Sequence, residues 1–106
     1  MSKAVTASTF QRDVLEAAVP VIVYIWAEWS GPGRVISVCL ERIEKEVGAW
    51  GKFVRINADE NRHIASCYDI EKIPTMLIFI DGDLASARTG SANIADLAEW
   101  IFQYIR

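Results

Sequence analysis

Val21-Ile22-Val23-Tyr24-Ile25-Trp26 runs into Ala27-Glu28-Trp29 and then Ser30-Gly31-Pro32-Gly33. The first six residues form an unbroken β-branched and aromatic series, which predicts a strand covered on both faces, as at the centre of an α/β sheet. Gly31, Pro32 and Gly33 forbid its continuation. From Arg34 the periodicity changes. Val35, Ile36, Cys39, Leu40, Ile43 and Val47 share one stripe of a helix, with Glu41, Arg42, Glu44, Lys45 and Glu46 largely off it. A buried strand, a tight break and a long amphipathic helix make the unit from which parallel strands are joined.

Upstream, Ala4-Val5-Thr6 suits a short edge strand, and Ser8 with Gln11 has capping-box spacing. Phe10, Val14 and Ala18 then predict a helix over about residues 9–18, ended by Pro20. Downstream, Gly48 and Gly51 close the long helix, Phe53–Asn57 alternates as a second strand, and 59–68 reads as a short helix or loop. Met76–Ile80 is a third strong strand, Asp81-Gly82 a hairpin turn, and Leu84–Thr89 the returning strand. After Gly90, Asn93 with Asp96 caps a last helix carrying Ile94, Leu97, Trp100, Ile101, Tyr104 and Ile105. The order βαβαβαββα predicts one α/β domain over 1–106, a mixed sheet with helices on both faces.

The 106 residues are 52% hydrophobic, which excludes disorder, and no apolar run approaches the ~18 residues of a membrane helix. With 11 basic against 14 acidic side chains, the net charge of −3 argues against a phosphate-binding face and hence against nucleic acid as partner. Met1-Ser2-Lys3-Ala4 leads into patterned sequence without a signal peptide's apolar core, so the expected address is the cytoplasm. One histidine, His63, and two cysteines, Cys39 and Cys67, lack metal-ligand spacing. No metal or cofactor is expected, and both thiols are expected to be free, with their burial left open.

Trp26-Ala27-Glu28-Trp29 followed by Ser30-Gly31-Pro32-Gly33 resembles the thioredoxin active-site segment, in which W-A-E-W runs into C-G-P-C. Asn57 and Asp59 after the second strand, Ile73-Pro74-Thr75 before the third, Gly82 in the hairpin and Gly90 before the last helix match the family in order and spacing. The resemblance covers nearly the whole chain. It implies a thioredoxin fold, a cis peptide bond at Pro74 facing the 30–33 turn, and a peptide-binding groove at Trp29, Gly31, Pro32, Ile73, Pro74 and Gly90.

The sequence departs from the family where the chemistry sits. Disulfide reduction needs an attacking thiolate and a second thiol to resolve the mixed disulfide. The two dithiol positions are Ser30 and Gly33, and the family's buried acid corresponds to Tyr24. No catalytic residue is therefore expected there. Cys39 lies about 9 Å beyond Gly33 by helical rise, too far to act as its substitute. Ser30 as a hydrolase nucleophile lacks a neighbouring base, because His63 belongs elsewhere in the family fold and reads as an exposed loop residue.

The expected function is thus a redox-inactive thioredoxin-like protein that holds a protein or extended peptide segment noncovalently in the cis-proline groove, as an assembly factor, chaperone or complex subunit. One alternative is a thiol redox protein of the family using Cys67 or Cys39. Another is a structural homo-oligomer with a vestigial groove. Sequence leaves the oligomeric state open.

Overall fold

The computed structural model describes residues 3–29, 33–89 and 93–105. Five strands form one mixed sheet: β1 (Lys3–Ala4), β2 (Val21–Trp26), β3 (Lys52–Asn57), β4 (Thr75–Ile80) and β5 (Asp83–Thr89). Their spatial order is β1-β3-β2-β4-β5. The first three strands are parallel, and β4 and β5 join antiparallel. Three helices cover the sheet: α1 (Gly33–Val47), α2 (Arg62–Cys67) and α3 (Ile94–Phe102). The expected fold class and helices on both faces are therefore observed.

Because strand side chains alternate, β2 feeds two cores. Val21, Val23 and Ile25 pack with Phe10, Val14, Ile64, Leu77 and Phe79 on the face covered by α2. Ile22 and Tyr24 pack with Ile36, Leu40, Ile43, Met76, Ile78, Leu97 and Ile101 on the face covered by α1 and α3. Every β2 residue from Val21 to Ile25 is buried, as its continuous apolar run requires.

Two helical ends differ from the pattern reading. The segment expected as a helix over 9–18 is a single wide π-type turn, Gln11–Leu15, closed by the Glu16 N–H donating to the Gln11 carbonyl at 2.9 Å. Phe10 starts it without a side-chain cap, so the Ser8–Gln11 capping box does not form. Phe10, Asp13 and Val14, which share one helical face, are all buried. Asp13 Oδ1 lies 3.2 Å from Lys3 Nζ, 3.4 Å from Arg12 Nε and 3.8 Å from Lys52 Nζ, tying the turn to β1 and β3. Burial pushes the Asp13 carboxyl up, but hydrogen bonds and charge from Arg12 and Lys3 outweigh it and hold the group below its ordinary value.

At the other end, α3 stops at Phe102, and the Tyr104 N–H donates to the Ile101 carbonyl in a tighter last turn that still buries Ile105. Its start follows the expected cap, with Asn93 Oδ1 accepting from the Asp96 N–H at 2.8 Å. The β4–β5 turn places Asp81 at φ 52° and Gly82 at φ 84°, the left-handed pair that a two-residue hairpin needs. A Cβ on Gly82 would lie 2.9 Å from the Leu15 carbonyl oxygen, so the turn also seats against the π-type segment.

Candidate functional site

The C-terminal ends of β2 and β3 meet the start of β4 at one rim of the sheet, with Trp26 paired to Asn57 and Ile25 to Thr75. Open α/β sheets place their sites at this kind of rim. Trp29 is 66% exposed there, and its indole N–H donates to Asp59 Oδ2 at 2.9 Å. Asn57 Oδ1 accepts from the N–H groups of Asp59 (2.9 Å) and Glu60 (3.2 Å), which turns the chain towards α2. The Ile73–Pro74 bond is cis, Pro74 is buried and Ile73 half-buried, while the Thr75 hydroxyl donates to the Lys72 carbonyl. The groove positions Gly31, Pro32 and Gly90 lie outside the described residues, as does the dithiol position Ser30, while the other dithiol position, Gly33, opens α1.

Tyr24 occupies the place of the family's buried acid beneath this rim. It is 5% exposed, burial raises its phenol above the ordinary value, and a hydrogen bond with Ser37 of α1 partly offsets the rise. A narrow cavity of about 20 Å³ beside it is lined by Ser37, Glu41 and Glu44, room for one water molecule. Nothing in that layer is a thiol.

The thiols lie elsewhere and differ in exposure. Cys39 on α1 is half-buried against the α1–α3 core. Cys67, the last residue of α2, is exposed. His63, expected in a loop, lies on α2, and its Nε2 is 3.4 Å from Cys67 Sγ. Four residues is the spacing that puts two side chains on one helical face. That signal was present in the sequence, but only the placement of both residues in one helix turns spacing into contact.

α2 is short, and packing holds it in place. Ile64 is buried, and Tyr68 wedges against Phe10 (ring centroids 5.7 Å) and Phe79 (5.3 Å) directly after Cys67. At the other end the buried Asn61 accepts from the Ala7 N–H at 2.8 Å and donates to the Asn57 carbonyl at 3.0 Å. Burial and then the charge of Cys67 push the Tyr68 phenol up. The five-strand sheet separates the two cysteines, since Cys39 packs with the α1–α3 core and the Tyr68 anchor of α2 with the opposite one. Cys39 is thus not placed to resolve a disulfide at Cys67.

A mixed sheet with this strand order, a cis-proline opening β4 and α1 rising from the rim define a thioredoxin-type α/β protein. The family model for thioredoxin matches residues 1–103. The chain is 38% identical over 101 residues to the thioredoxin of Rickettsia felis, covering 95% of this chain and 96% of that one. It is 36% identical over 105 residues to thioredoxin 1 of Synechococcus elongatus, covering 99% and 98%. A 38% match over 99 residues to the thioredoxin of Rhodospirillum rubrum covers 93% and 95%. The chain belongs to the thioredoxin family.

These relatives overturn the expectation of a redox-inactive binding module. Full-length similarity to proteins named thioredoxin points to a redox thioredoxin instead. That expectation rested on Ser30, Gly33 and Tyr24. Loss of a dithiol at one turn does not remove a thiol presented elsewhere on the fold. Among the described residues no helix is long and apolar enough to cross a membrane.

Proposed function

We propose that this protein is a thiol redox protein of the thioredoxin family that works through Cys67, exchanging disulfides by a one-thiol route. The observation that carries this reading is the exposed Cys67 Sγ at 3.4 Å from His63 Nε2. An imidazole at that distance can take the thiol proton and leave the nucleophilic thiolate. The thiolate attacks one sulfur of a protein or peptide disulfide. A Cys67–substrate S–S bond forms, the substrate S–S bond breaks, and the departing thiolate takes the proton held by His63. Since Cys39 stands across the sheet, an external low-molecular-weight thiol must attack the mixed disulfide. It is oxidised into the new disulfide and returns Cys67 as thiolate. A reducing compartment such as the cytoplasm supplies that co-reactant, and keeps Cys39 free.

The test is turnover of a peptide disulfide with a low-molecular-weight thiol as reductant. Cys67→Ser should abolish the protein-dependent rate and Cys39→Ser should leave it unchanged. His63→Ala should slow both turnover and alkylation of Cys67 without altering the fold. Turnover that survives Cys67→Ser would overturn the assignment.

A further inference from the structure

The His63–Cys67 pair also has the bite of a tetrahedral metal. We propose that it is half of a zinc site, completed by the same two residues of a second copy of this chain. Thiolate and imidazole are the ligands zinc takes in closed structural sites. With Zn–S of about 2.3 Å and Zn–N of about 2.0–2.1 Å, a tetrahedral ion sets its sulfur and nitrogen ligands about 3.5 Å apart. The observed Sγ–Nε2 separation is 3.4 Å. Both side chains are exposed on one face of α2, so an ion can reach them without rearrangement.

The pair is fixed to the fold. Asn61 pins the start of α2, Ile64 its inner face and Tyr68 its end, which keeps the two ligands from splaying when metal arrives. Among the described residues no three metal-ligating side chains come together, so one chain offers two ligands and leaves two positions open. A two-fold axis through the ion fills them with an identical pair, giving two sulfurs and two nitrogens. Two thiolates balance the dication, so bridging two copies of an acidic chain brings no added charge to the centre.

This site goes beyond disulfide exchange and does not depend on it, because it needs the two side chains only as ligands. Zinc would occupy the Cys67 lone pair that exchange uses, so the bridged form would be closed to disulfides.

The experiment is zinc titration of the full chain, kept reduced with a phosphine, followed by sedimentation equilibrium and metal analysis. The expected result is one zinc per two chains, a doubled mass, and return to the starting mass on adding a chelator. Cobalt(II) in place of zinc should give a thiolate charge-transfer band. Cys67→Ser and His63→Ala, both at exposed positions, should lose the mass shift. Zinc bound equally by both variants would overturn the site, and one zinc per unshifted chain would overturn the bridging. Absence of zinc binding in a protein that still exchanges disulfides through Cys67 would overturn this inference and leave the exchange reading standing.

Discussion

The two faces of the sheet treat their polar groups in opposite ways. On the α1–α3 face, Tyr24 is buried with its hydroxyl paired with Ser37, and Cys39 packs half-buried against the same core. On the other face, a three-ring cluster of Phe10, Tyr68 and Phe79 seals the core, and α2 carries Cys67 and His63 outward. One face has become packing. The other presents an exposed thiol 3.4 Å from an imidazole.

Core truncation should separate the faces most sharply. Leu97 is fully buried under α1, and Leu97→Ala should cost about 3 kcal/mol, because the rigid layer cannot collapse into the space left. Cys67→Ser on the exposed face should stay within about 0.5 kcal/mol of the parent. Urea unfolding of both variants checks this, and equal losses would break the contrast between a packing face and a presenting face.

A smaller effect is expected inside the packing face. Tyr24→Phe removes the Ser37 partner while keeping the ring, at a cost of about 1 kcal/mol. Tyr24→Asp should be less stable than the parent, since a carboxylate there lacks solvation. A more stable Tyr24→Asp protein in the same urea experiment would show that the site still favours an acid.

The acid limb of stability should come in part from the other face. Asp13 has a folded pKa below its ordinary value of 3.8. Its contribution is therefore fully present above that value and is lost as pH falls through the lower folded one. Asp13→Asn should flatten the fall in stability over that window and loosen β1, which Lys3 ties to Asp13 at 3.2 Å. Thermal unfolding between pH 2 and pH 5 checks the slope. An unchanged slope would assign acid sensitivity to other carboxylates.

Much of this architecture was readable residue by residue. The apolar run Val21–Trp26, the stripe from Ile36 to Val47 and the Asp81-Gly82 turn form as expected, whereas Val35, expected on that stripe, is 63% exposed. Asn93 caps α3 for the same reason: a side chain three residues from its target needs no tertiary help. Residues 9–18 differ from their pattern: Phe10, Asp13 and Val14 keep helical spacing, yet only Gln11–Leu15 coils, with the Asp13 carboxylate held by Lys3 and its carbonyl by Lys52, 10 and 39 positions away. The 59–68 pattern fits a short helix or a loop, so it does not decide the exposure of Cys67 or the helical placement of His63.

Sequence alone determined the fold and the absence of cysteine at positions 30 and 33, because periodicity, turn chemistry and residue identity are local properties. Tertiary structure alone decided that Cys39 packs into one face while Cys67 meets His63 in the open on the other. Exposure depends on how distant segments pack, whereas the 3.4 Å approach follows from the four-residue spacing once both residues lie in one helix.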